Sequence, residues 1–102
     1  MAEINWSVEA KRDLKAIAEY FDISSTQYSK YLVENIYNSV SELNEFPKIG
    51  RKVSEFELDI FRERIVEGYR VIYLFQDTSV EILTIVHSRQ DLIKHLKRQD
   101  DN

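Results

Sequence analysis

Arg51, Arg62, Arg64, Arg70, His87 and Arg89 fall in the half of the chain that otherwise alternates apolar and polar residues. Arginine grips phosphate or carboxylate bidentately, and histidine moves a proton near neutral pH. Together they suit either of two tasks. One is binding a partner or target. The other is metal-independent cleavage of RNA, in which cations stabilise a pentavalent phosphate and an acid or base serves the 2′-hydroxyl and the leaving group. For the second task the residues to watch are Arg70, Arg89 and His87. Other chemistries lack their residues. The chain has no cysteine, and its two histidines, His87 and His95, lie on different elements, so a common zinc site is not expected. Gly50 and Gly68 are too far apart for a glycine-rich phosphate loop. No cofactor is expected. The net charge of −4 weighs against a protein that works mainly by gripping nucleic acid.

The elements that must position these groups follow from periodicity and turn chemistry. Glu67-Gly68 and Asp77-Thr78 separate three strand patterns between Ile60 and Asp91. A two-residue turn at each sets Val66 opposite Tyr69, Arg64 opposite Val71 and Arg62 opposite Tyr73, then Phe75 opposite Val80 and Tyr73 opposite Ile82. Strict alternation assigns Tyr69, Val71, Tyr73, Phe75, Val80, Ile82 and Val86 to one face. Phe61, Glu63, Ile65, Arg70, Ile72, Leu74, Leu83, Ile85 and His87 fall on the other. Glu63 and Arg70 thereby share a face, and an ion pair packed under the last helix would account for both without catalysis.

Upstream, Glu3–Trp6 reads as a strand that joins a sheet edge. Ser7 caps a helix to about Ile23 with Ala10, Leu14, Ile17, Ala18 and Phe21 inward. Ser24-Ser25-Thr26 caps a second helix to about Glu45, with Val33, Ile36, Tyr37, Val40 and Leu43 inward. The short link makes an antiparallel helical hairpin. Pro47 and Gly50 open a loop through about Glu57. Asp91 caps a short final helix bearing Leu92, Ile93 and Leu96, and residues 98–102 form a frayed polar tail. The expected fold is α+β, of order β-α-α-β-β-β with a C-terminal helix. Its helical hairpin packs on the Tyr/Val/Phe face of a small antiparallel sheet, in one domain over residues 1–102. With no signal-peptide pattern and no long apolar run, a cytoplasmic protein without membrane contact is expected.

The GYRVIY of residues 68–73, the preceding Arg62 and the Ile85-Val86-His87-x-Arg89-x-Asp91 end resemble the RelE/ParE superfamily. These are the toxic halves of bacterial type II toxin–antitoxin pairs. Trp6 before a helix, Asp13-Leu14 within it, and Leu43-x-x-Phe46-Pro47-x-x-Gly50-Arg51 extend the resemblance over residues 4–97. It implies the same fold and a cognate antitoxin as partner. In the ribonuclease branch, lysines occupy alternate positions of the strand before the YR strand, and a tyrosine follows late in the chain. Here those positions hold Phe61 and Glu63, no tyrosine follows Tyr73, and Leu96 stands where the late one is expected. The long helices and the end of the chain are closer to the ParE branch, which poisons DNA gyrase. The resemblance therefore implies a gyrase-directed toxin. A ribosome-dependent mRNA interferase is the alternative, and a detoxified relative that only binds its antitoxin is a third. Target or partner contact falls to Arg51, Arg62, Arg64, Arg70, His87 and Arg89.

Overall fold

The computed structural model describes residues 1–100. Its elements are β1 (Glu3–Trp6), α1 (Val8–Asp22), α2 (Thr26–Ser41), a 3-10 turn (Glu42–Asn44), β2 (Arg51–Lys52), β3 (Phe61–Val66), β4 (Tyr69–Gln76), β5 (Ser79–His87) and α3 (Leu92–Asp100). No helix among the described residues is long and apolar enough to cross a membrane.

The helix starts follow from their caps. Ser7 Oγ accepts from Ala10 N at 2.9 Å, and its hydroxyl donates to the Leu83 carbonyl, so the cap also ties α1 to β5. Ser25 caps α2 in the same way through Tyr28 N. Ser29, buried, donates to the Ala18 carbonyl at 2.9 Å and locks the helical hairpin. The inward face of α2 is Ser29, Leu32, Ile36 and Val40, followed by Leu43. Tyr37, expected inward, is 57% exposed and stacks on Trp6 at the hairpin rim. Leu32 takes the central position instead, because four-residue steps through Ile36 and Val40 define the stripe.

Both hairpin registers form as expected, including Arg64 opposite Val71 and Tyr73 opposite Ile82. Glu67 and Gly68 both have positive φ (50° and 82°), the backbone that a two-residue turn with right-handed strand twist requires. The sheet order is β1-β5-β4-β3-β2. β1 sits at the edge, as expected, but it pairs with β5 in parallel, so the sheet is mixed and not wholly antiparallel. The pair β2 lies in the stretch expected to be loop and covers β3 at Arg62 and Glu63.

One irregularity changes the face assignment of β5. Between Ile72 and Tyr73 the register shifts, so Tyr73 opposes Ile82 whereas Ile72 opposes Thr84. Leu83 is the extra residue of a β-bulge, and every side chain after it changes face. Ile85 therefore joins the core beneath the hairpin, with Val71, Tyr73, Ile82, Leu32 and Ile36. Val86 moves to the other face, where Val53, Ile72 and Leu92 form a second, smaller core with Phe56, Phe61, Leu83 and Leu96 around it. His87 lies on the hairpin side, edge-on to Tyr69. All three reverse the strict-alternation assignment.

Asp91 Oδ1 accepts from Lys94 N and caps α3, whose Leu92 is buried while Ile93 is exposed. Residues 98–100, expected to fray, form the last turn of α3. The remainder of the expected tail, residues 101–102, lies outside the described residues.

Candidate functional site

The six sequence-derived residues do not converge on one site. Arg70 is 8% exposed and is held by two carboxylates. Its Nε and one terminal nitrogen donate to Glu63 at 2.8 Å, and its two terminal nitrogens grip Glu55 at 2.7 Å each. Four of the five N–H donors are thereby used. The hydrogen bond to Arg70 pulls the Glu55 carboxyl down to about 2, and the two carboxylates push the guanidinium further up. Glu63 is 2% exposed, and Arg51 approaches the Oε2 that also takes Arg70 Nε, at 3.6 Å from an exposed position. The expected Glu63–Arg70 pair is present. A second carboxylate, Glu55, reaches Arg70 from the loop before β3.

Arg62 and Arg64 face the hairpin side and serve the chain's own carbonyls. Arg62 donates to Gly50 O at 2.8 Å and to Lys48 O at 3.3 Å. Arg64 donates to Ser39 O and to Glu42 Oε2 at 3.0 Å. Between them the fully buried Tyr73 donates to Pro47 O at 2.7 Å and accepts from Gly50 N at 2.9 Å. Burial pushes its phenol pKa up. These bonds tie the Phe46-Pro47-x-x-Gly50-Arg51 loop to β3 and β4. Arg51 and Arg89 are exposed, and His87 is half-buried.

Chemistry collects instead in a groove of about 550 Å³ between α1, the ends of β4 and β5, and α3. Both histidines reach it, together with Asp13, Tyr20, Phe21, Tyr69 and Gln90. At its base Asp13 Oδ2 accepts from the Thr84 hydroxyl at 2.7 Å and from Ile85 N at 2.9 Å. Gln99 Nε2 reaches both Asp13 oxygens at 3.2 Å, and His95 Nε2 lies 3.0 Å from Thr84 Oγ1. The residue types are those of a nucleophile, a base and an acid, but the order is wrong for catalysis. Asp13 bonds the hydroxyl directly, and Thr84 is fully buried. The cluster fastens α1, β5 and α3 to one another at the bulge. Among the described residues no group of three or more His, Cys, Asp or Glu is placed to hold a metal.

Sequence reasoning missed Thr84, Gln99 and Glu55 altogether. Thr84 sits just past the bulge, where its face cannot be read from alternation, and Glu55 sits in a loop with no periodicity. Asp13 entered the sequence analysis only as part of the Asp13-Leu14 pair of the family pattern.

Comparison with known proteins bears on this geometry. Residues 4–92 match the family model described as ParE toxin of type II toxin-antitoxin system, parDE. No curated protein matches the chain by sequence. A solved chromosomal ParDE toxin–antitoxin system from P. aeruginosa is similar in fold, with TM-score 0.71 and 20% identity over 85% of this chain and 96% of that one. Toxin RelE of E. coli, as a mutant in the free state, aligns with TM-score 0.61 and 20% identity over 96% of this chain and 98% of its own. The YoeB dimer of Staphylococcus aureus aligns with TM-score 0.60 and 22% identity over 84% and 95%.

Proposed function

Because the chain belongs to the ParE toxin family of type II toxin–antitoxin systems, we propose that it is a toxin acting through protein–protein contact with DNA gyrase. The carrying observation is the closed state of Arg70. On the face where a ribonuclease of this fold would gather cations, Arg70 is taken up by Glu55 and Glu63, and Phe61 and Glu63 fill the flanking positions. A scissile phosphate there would meet a buried carboxylate and an aromatic ring. A protein target needs no such cluster, because its binding energy comes from buried surface. Arg51, His87 and Arg89 keep solvent access for such contact, whereas Arg62, Arg64 and Arg70 support the toxin's own frame.

The partner that restrains it is a cognate antitoxin. The surface that suits it is an open groove of about 430 Å³ between the two helices, floored by Trp6, Leu14, Ala18, Val33 and Tyr37 and rimmed by Lys11 and Lys15. An apolar floor with a lysine rim fits the face of an amphipathic helix with acidic flanks.

Expression of the chain alone should arrest bacterial growth and induce DNA-damage signalling. Co-expression of the neighbouring antitoxin gene should relieve both. Purified toxin should inhibit supercoiling by purified gyrase and leave ribosome-bound mRNA intact. Codon-specific cleavage on ribosomes, lost on Arg70→Ala or Arg89→Ala, would replace this reading with the interferase. Harmless expression of soluble protein would leave a detoxified antitoxin binder.

A further inference from the structure

The groove beside α3 contains hydrogen-bond donors that the fold leaves unused. Arg89 N donates to His87 Nδ1 at 3.1 Å, so the neutral ring carries its proton on Nε2. His87 N donates to Gln90 Oε1 at 3.1 Å, which fixes the orientation of that amide and leaves its NH₂ available. The His87 Nε2–H, the Gln90 NH₂ and the Tyr69 hydroxyl have no hydrogen-bond partner among the described residues. Burial pushes the Tyr69 phenol pKa up, which keeps it a donor. Arg89, whose backbone N–H makes that bond, is exposed.

The one carboxylate lining the groove, Asp13, is already hydrogen-bonded within the fold. Asp13 Oδ2 takes Thr84 and Ile85 N, and Asp13 Oδ1 takes Gln99. What remains is a donor-lined end beside an aromatic wall. Tyr20, 70% exposed, and Phe21 meet edge to face at 5.0 Å, and Tyr69 stands across the groove from them. Exposed tyrosines around a concave floor are the usual anchors of protein interfaces. A volume of about 550 Å³ lies in the ordinary range for small binding pockets. The groove lies on the flank of α1 formed by Asp13, Ala16, Ile17 and Tyr20. Lys11, Lys15 and Ala18 of the interhelical groove lie on the opposite flank.

We propose that this groove is a second docking site, which takes a segment of a protein partner presenting a carboxylate beside an aromatic or branched aliphatic side chain. The carboxylate accepts from His87 Nε2–H and the Gln90 amide, and the apolar side chain lies between Tyr20 and Tyr69. The site does not depend on gyrase being the target. The two grooves share no lining residue.

The test titrates the full chain with the peptide acetyl-Phe-Asp-amide, followed by NMR. Saturable shifts are expected at the His87 ring and at the Tyr69, Ile85 and Arg89 amides. Acetyl-Phe-Asn-amide, the uncharged isostere, should bind about tenfold or more weakly, because a charge-assisted bond is lost. Acetyl-Ala-Asp-amide should also be weaker. Tyr20→Ala, at an exposed position, should weaken the Phe-Asp peptide without changing the melting temperature. The proposal is overturned by equal binding of the Asp and Asn peptides or by shifts centred elsewhere. It is also overturned by no saturable shift up to the solubility limit. Inorganic phosphate that shifts His87 as strongly as the peptide would reduce the site to a bare anion contact, which also overturns it.

Discussion

Replacing Glu55 by Gln tests whether the loop carboxylate closes the Arg70 site. Glutamine keeps the size of the side chain and one acceptor oxygen, but it removes the charge and one of the two 2.7 Å bonds to the guanidinium. Folding draws the Glu55 carboxyl from the usual glutamate range down to about 2. Each tenfold change in proton affinity is worth about 1.36 kcal/mol, so the full displacement corresponds to about 3 kcal/mol. The Glu55 side chain is 29% exposed, and solvent screening reduces this to about 1–2 kcal/mol. The sign follows from linkage. A carboxyl whose pKa is lowered on folding contributes stability that is fully present above its unfolded value. That stability is lost as pH falls through the folded one. Urea denaturation should therefore show Glu55→Gln less stable than the parent by about 1–2 kcal/mol from pH 7 down to about 5. The gap should close between about pH 4.5 and pH 2. Glu81→Gln, whose side chain has no hydrogen-bond or ion-pair partner among the described residues, is the control and should track the parent throughout. A gap that persists unchanged at pH 2, or no gap at pH 7, would refute the reasoning and reopen Arg70 to external anions.

Three further outcomes follow from the packing. Gly50→Ala places a Cβ 2.5 Å from the Tyr73 hydroxyl and 2.8 Å from the Glu63 carbonyl, so it should destabilise the fold by about 1–3 kcal/mol in thermal unfolding. Ile82→Ala, at a fully buried position beneath the hairpin, should cost about 2–5 kcal/mol, and an unchanged melting temperature would show that the hairpin does not cover this face. Asp13→Ala leaves the buried Thr84 hydroxyl and the Ile85 N–H without their acceptor. It should cost about 1–3 kcal/mol and speed hydrogen exchange at Ile85 before it affects the β3–β4 turn.

Local chemistry was enough to place most elements. Ser7, Ser25 and Asp91 each have a side-chain acceptor beside an apolar periodic run, and each caps the helix expected of it. Glu67-Gly68 tolerates the positive φ that a two-residue turn demands, so the β3–β4 register follows residue by residue. The Glu63–Arg70 pair was legible because it lies across one hairpin, seven residues apart in the chain. These features depend on groups close in sequence, whose geometry the backbone alone sets.

What the sequence left open depends on contacts between distant segments. The Leu83 bulge has no marker in residue type, yet one extra residue exchanges the faces of Ile85, Val86 and His87. The parallel pairing of β1 with β5 is fixed by how the helical hairpin crosses the sheet, which periodicity cannot express. Glu55, in the irregular loop before β3, closes Arg70 from 15 residues away, and Gln99 reaches Asp13 across 86 residues. The sequence by itself determined the elements, their caps and the hairpin partners, because those are local free-energy minima. Only tertiary packing decided that the cations would be spent on the protein's own carboxylates and carbonyls, and that both histidines would meet in one groove. Desolvation makes each buried charge take whichever partner the completed fold brings within reach.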